Sequence, residues 1–248
     1  MSGSIVAVSS LALEARIASG PGVAVICVQG LHLAAALTSA IASGASGVIS
    51  FGVAGGLAPG LVEGDLVVAA AVKAGQQLFP TDRIWTQSLR ERLPGAVHAN
   101  IVGMDAPVAD PLEKRLLHAR TGAVAVDMES HIAASIAAAH QVPFVACRVI
   151  IDAADKRLPP AALAGLRPDG TANVAAVLGS VVRQPGQLPA LLRTALDARI
   201  ASRALRRARR MLGPGLRFPH FSSAASQFAR DGARQLRTRR QSRRQTSA

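Results

Sequence analysis

The chain has 248 residues, half of them apolar, with 28 Lys or Arg against 15 Asp or Glu and a formal charge of +13. That length holds one α/β domain with an appendage, and two isolated cysteines, Cys27 and Cys147, exclude both a disulfide framework and a thiolate metal site. The charge excludes less than it suggests, because residues 203–248 carry net +12 while residues 1–202 carry only +1.

The mean hydropathy of +0.29 is high, yet no window reads as a membrane span. The stretch 31–51 is interrupted by His32, Thr38, Ser39, Ser43 and several glycines. No basic segment followed by an apolar block opens the chain. The expectation is a cytoplasmic protein with reduced, buried thiols.

Taken in chain order, the first apolar run, 4–9, predicts a strand. It is followed by Leu-Ala-Leu-Glu-Ala-Arg (11–16), where Glu14 and Arg16 read as an exposed helix turn. A second strand is expected at 23–28 and a helix at 31–43. A third strand, 47–51, breaks into Gly52-Val53-Ala54-Gly55-Gly56, and the chain turns at Glu63-Gly64-Asp65 before a strand at 65–72. Glycines there permit positive φ and close backbone approach. Neither the dinucleotide fingerprint nor a P-loop fits, since glycines are missing at the required spacing and no Gly-Lys-Ser/Thr follows.

Strands are then predicted at 96–102, 123–127 and 142–151, and helices at 111–120, 129–140 and 174–182. The strand 123–127 ends in Asp127, which suits the cap of the next helix, while Glu129 suits its positive end. The strand 142–151 delivers Asp152, with Asp155 three residues on. A carboxyl at a strand end beside apolar neighbours serves as a general acid when burial raises its pKa; a turn-forming Asp pair is the alternative. His131, Phe79 and Trp85 suit either a ligand site or packing. From Pro185 a long helix is expected, with Leu188, Leu192, Leu196 and Ile200 on one face and arginines opposite, ending at Gly213-Pro214-Gly215. Beyond it the Ser-, Gln- and Arg-rich tail predicts disorder. Runs apolar on consecutive positions imply a sheet covered on both faces, so the fold class is α/β.

Phe-Gly-Val-Ala-Gly-Gly (51–56), Glu-Gly-Asp-Leu-Val-Val (63–68), Val-Asp-Met-Glu-Ser (126–130) and Arg-Val-Ile-Ile-Asp-Ala-Ala-Asp (148–155) together resemble the nucleoside phosphorylase and nucleosidase superfamily. Phe-Pro-Thr-Asp-Arg-Ile-Trp (79–85), Thr-Gly-Ala-Val-Ala-Val-Asp-Met-Glu-Ser-His (121–131), Leu-Arg-Pro-Asp-Gly (166–170) and Gln-Pro-Gly-Gln-Leu-Pro-Ala-Leu (184–191) look like the hopanoid-associated phosphorylases in particular. The resemblance covers roughly residues 4–215. It implies a three-layer fold around a central mixed, largely buried sheet, with a catalytic domain over 1–200 and a basic helix end and tail over 201–248.

It implies phosphorolytic cleavage of adenosylhopane to adenine and a phosphoribosyl-hopane. Asp152 would be the acid at the purine, Met128 and Glu129 would bind ribose, and the backbone of Gly52, Val53, Ala54 and Gly55 would border base or phosphate. Glu14 matches the acid that activates water in the hydrolytic relatives, which keeps a methylthioadenosine/S-adenosylhomocysteine-type nucleosidase as the alternative. Arg16 is a candidate for phosphate. No cofactor or metal is implied, with inorganic phosphate as co-substrate. Where relatives often place a serine before the Asp, this chain has Ile151. A homo-oligomer is expected, and the basic tail is expected to contact an anionic membrane at its inner face. A non-enzymatic binder acting through that tail is the lesser reading. Without an aromatic stacking platform, specific nucleic-acid recognition is not expected.

Overall fold

The computed structural model describes residues 4–28, 30–164 and 173–219. The chain runs β1 (Ile5–Val8), α1 (Ala12–Ala18), β2 (Val23–Ile26), α2 (Gly30–Ala42), β3 (Gly47–Gly56), β4 (Leu66–Ala74), β5 (Gln77–Pro80) and α3 (Arg83–Arg92). It continues through β6 (Val97–Gly103), α4 (Pro111–Thr121), β7 (Ala125–Asp127), α5 (Ser130–Ala139), β8 (Phe144–Asp152), α6 (Pro160–Ala164), α7 (Val174–Arg183) and α8 (Leu188–Leu212). The eight strands make one mixed sheet in the order β2-β1-β3-β7-β6-β4-β5, with β8 bridging β3 and β4. The pairings of β3 with β8, β8 with β4, β4 with β6, β6 with β7 and β7 with β3 form a closed circuit.

The period of two along each strand sorts the core onto both sheet faces. Ile5, Ala7, Ile49, Phe51, Val145, Cys147 and Val149 pack with Ala201, Leu205, Ala208 and Leu212 of α8. Val6, Val8, Val48, Ala146 and Ile150 face the other way, onto Leu33 and Leu37 of α2 and Ala133, Ala134 and Ala137 of α5. This is the expected three-layer arrangement, helices on both faces of a buried mixed sheet.

Helix α4 shows why such boundaries are readable. Asp110 accepts a hydrogen bond from Leu112 N at its start, Pro111 follows, and Gly122 closes it at φ 68°.

Four differences from the sequence reading matter for the site. Strand β3 does not stop at residue 51 but carries the glycine run through Gly56, paired with β8 as far as Gly55 and with β7 at Gly55 and Gly56. Helices α1 and α3 and strand β5 are full elements, and α1 contains both Glu14 and Arg16. The expected boundary at residue 200 falls inside α8, whose second half enters the core. Residues 214–219 are not tail either: a 3-10 turn, Pro214–Arg217, buries Leu216, and Phe218 is also buried. Phe218 stacks edge-on to Trp85 at 4.8 Å, and Trp85 Nε1 donates to Leu216 O. The Leu-Arg-Pro-Asp-Gly segment and the tail beyond residue 219 lie outside the described residues. The reading of both cysteines as buried holds for Cys147 only, because Cys27 sits just past β2 and is half-buried.

Candidate active site

A cavity of about 520 Å³ opens at the carboxyl ends of β1, β3, β7 and β8. Its walls include Ser10, Val53, Ala54, Gly55, Met128, Glu129, Ile151 and Asp152. Helix α8 closes one side with Ala190, Arg193, Thr194 and Asp197, and the loop residues Ala106, Pro107 and Val108 form another. Four sequence segments separated by up to 140 residues thus meet at one sheet edge.

Asp152 ends β8 and is 6% exposed. Burial pushes its carboxyl above the usual range, although the Lys114 ammonium beside it acts in the opposite direction. Lys114, from α4, is fully buried and ion-paired to Asp152 Oδ2. Its ammonium also donates to Ala153 O at 2.8 Å and Lys156 O at 3.1 Å.

Across the cavity stands a buried charge cluster centred on Arg148, which is 0% exposed. Arg148 Nε lies 2.5 Å from Asp127 Oδ2, as an ion pair rather than an aligned hydrogen bond. Its Nη2 donates to Ser50 Oγ at 2.5 Å and to Glu129 Oε2 at 3.4 Å. Ser130 N donates to Asp127 Oδ1, so Asp127 both starts α5 and neutralises the arginine. Burial raises the Glu129 carboxyl to about 7, with Asp127 and Glu14 adding to the rise and Arg148 opposing it. Glu129 Oε1 is buried and has no hydrogen-bond partner among the described residues.

Glu14 is 2% exposed and tightly held. Its Oε1 accepts from Val53 N at 2.8 Å, while its Oε2 accepts from Ser10 N at 2.8 Å and Leu11 N at 3.0 Å. It stands behind Ser10, Leu11 and Val53 rather than on the cavity wall. Gly52 does not face the cavity. A Cβ there would lie 2.7 Å from Arg148 Nη1 and 2.8 Å from the Glu14 carboxyl, so this glycine makes room for two side chains rather than for a ligand. Val53, Ala54 and Gly55 do line the cavity.

Arg16 is exposed on α1, in a separate surface depression with Leu13, Ile17, Arg206, Arg209 and Arg210. The structure does not bring it to the cavity, because α1 turns it away from the sheet edge. His131 packs over Gly103 and reaches Asp105 at 3.0 Å, outside the cavity. Trp85 is core, and Phe79 packs against the second apolar cluster.

Two residues escaped sequence reasoning. Arg148 had a signal, a single cation inside an apolar strand, which implies a buried partner. Lys114 had none, being one of several charged residues in Leu-Glu-Lys-Arg-Leu-Leu (112–117).

No curated protein sequence matches the chain. Among solved structures, the Helicobacter pylori futalosine hydrolase aligns with TM-score 0.57 at 21% identity, over 74% of this chain and 99% of that one. The 5′-methylthioadenosine/S-adenosylhomocysteine nucleosidase of Neisseria meningitidis, in complex with methylthio-immucillin-A, aligns with TM-score 0.56 at 20% identity, over 73% and 98%. A putative nucleosidase of the same type from Francisella philomiragia gives TM-score 0.60 at 16% identity, over 86% and 97%. At these identities the likeness is one of fold. The profile of the Phosphorylase superfamily matches residues 12–183, from the helix that carries Glu14 to the end of α7, and on that match the chain belongs to the Phosphorylase superfamily.

Proposed function

We propose that this chain cleaves the N-glycosidic bond of an adenine nucleoside, with adenosylhopane as substrate and phosphate as acceptor. The observation that carries the nucleoside reading is Glu129 Oε1, a buried carboxylate oxygen with no hydrogen-bond partner among the described residues, in a residue lining the cavity that Asp152 also lines. Such an oxygen is costly unless a ligand donor completes it, and ribose hydroxyls supply that donor. In the reaction the C1′–N9 bond breaks with its electron pair going to adenine. Asp152 delivers a proton to N7, and a phosphate oxygen forms the new bond at C1′. Glu129, paired with Arg148, holds the hydroxyls of the developing ribosyl cation. Met128 packs beside it. The hopane assignment rests on the motifs at 79–85, 121–131 and 184–191, and is supported by a roomy cavity with many apolar walls.

Hydrolysis is the second reading, and one observation favours it. The amides of Ser10, Leu11 and Val53, donors that would suit a phosphate, are already taken by Glu14. Arg16, the expected phosphate partner, lies elsewhere. The test is adenine release from adenosylhopane with and without phosphate, with the mass of the lipid product read in both. Release only with phosphate, giving a phosphorylated ribosyl-hopane, bears out the proposal. Release without it, giving free ribosyl-hopane, establishes hydrolysis, and absence of release under both conditions overturns the substrate.

A further inference from the structure

The turn after β8 is clamped from two sides. Ala153 N donates to Glu63 Oε1 at 2.9 Å, and Lys156 Nζ lies 2.9 Å from Glu63 and 2.8 Å from Asp197 of α8. From beneath, Lys114 donates to Ala153 O and Lys156 O and pairs with Asp152. A lysine ammonium has three protons, and all three find oxygens in this one turn. A fully buried lysine is rare unless paired, and here every acceptor belongs to the segment that carries the acid. Asp152 Oδ2 is engaged by Lys114, whereas Oδ1 has no hydrogen-bond partner among the described residues. Ile151, the residue before Asp152, has no polar group to offer the carboxyl.

We infer that Lys114 is the positioning residue for Asp152: it fixes one carboxyl oxygen, leaves the other for the purine, and sets the charge balance against which the acid works. The inference rests on the nucleoside-cleaving reading for its catalytic consequence, but not for the pairing itself. An ammonium beside a carboxyl favours its ionised form. Removing the cation therefore makes Asp152 hold its proton to higher pH, while loss of the clamp misplaces that proton.

The test is Lys114→Met in the full chain, with Asp152→Asn and the double variant beside it. Adenine release by Lys114→Met is expected to fall at least tenfold in kcat with little change in KM. The alkaline fall in activity should move up by about one pH unit or more, the usual size for loss of a close opposite charge. A pH profile superimposable on that of the unaltered protein, with kcat within about twofold, overturns the inference; a general acid's contribution is far larger than that. Thermal unfolding gives a readout that needs no activity. Each single variant leaves a buried charge uncompensated, so the double variant should lose less Tm than the two singles together. Additive losses overturn the pairing. If the unaltered protein releases no adenine while the Tm cycle is non-additive, the functional reading fails and the pairing stands.

Discussion

Asp152 and Glu129 differ in what each lacks. Asp152 has its counter-ion, and Asp152→Asn, although it lowers Tm by leaving the buried Lys114 unpaired, should reduce adenine release from the folded protein by roughly 10²–10⁴-fold, the range for a lost general acid; single-turnover measurement of adenine checks this. Glu129 sits in a cluster where Arg148 faces Asp127, Glu129 and Glu14, one cation against three carboxyls, and retains its proton up to about pH 7. Its ionised form is the double acceptor for ribose. Nucleoside affinity should therefore rise as pH climbs through about 7, and Glu129→Gln should flatten the curve while leaving free adenine binding intact. The sign for stability is opposite. A carboxyl whose folded value lies above its ordinary 4.5 stabilises most at low pH, and that contribution is lost between 4.5 and about 7. Calorimetric titration and thermal melts across that window separate the two effects. Gly52→Ala would press a methyl into Arg148 and Glu14, both held by hydrogen bonds, and should cost about 1–3 kcal/mol by overpacking.

At the scale of elements, what the sequence disclosed and what it hid have separate physical causes. Strands covered on both faces, such as β8, were legible because Phe-Val-Ala-Cys followed by Val-Ile-Ile has no polar face to place in water. The helix predicted at 111–120 matches α4, which the structure caps with Asp110 and Gly122. The strand-end rule for α/β folds singles out Asp152, the family resemblance named Met128 and Glu129, and all three line the cavity. The end of β3 was missed since glycine weakens any local strand signal, and partners distant in sequence, β8 as far as Gly55 and β7 at Gly55 and Gly56, hold the run extended. Arg16 was misplaced because it lies two positions after Glu14, and on a helix that spacing turns the two side chains to different faces. Helix α8 reverses the expectation most. The row Leu188, Leu192, Leu196 and Ile200 is exposed at 45%, 59%, 56% and 46% respectively, while Ala201, Leu205, Ala208 and Leu212 nearer the C-terminus carry the burial. Leu205→Ala should thus cost about 2–5 kcal/mol in urea unfolding, whereas Leu192→Ala should leave stability nearly unchanged.

On the whole-molecule scale, charge and exposed apolar surface coincide on α8. Its outward leucine row is followed by Arg203, Arg206, Arg207 and Arg210, and the chain beyond residue 219 adds seven arginines against Asp231. No helix among the described residues is long and apolar enough to cross a membrane. An apolar row with arginines suits the surface of an anionic bilayer. Removal of residues 220–248, which spares the buried Leu216 and Phe218, should leave cleavage of a water-soluble adenosine analogue unchanged. It should weaken co-sedimentation with anionic vesicles at low salt, and salt should erase the difference. Equal co-sedimentation of both forms at low salt would remove the tail from membrane contact.

The closed circuit of strands has a consequence for how the protein tolerates crowding. A strand paired on both sides offers no ladder to a neighbouring molecule, so the five strands of the circuit, and β1 between β2 and β3, present no template for intermolecular pairing. Among the described residues the sheet's open borders are β2 and β5, each only four residues long, and β5 ends in Pro80, which has no N–H to give. Short, proline-terminated borders resist edge-to-edge growth even for a chain that is half apolar. Aggregation on heating should therefore wait for the circuit itself to open, and turbidity should rise together with loss of the β3–β8 pairing rather than before it.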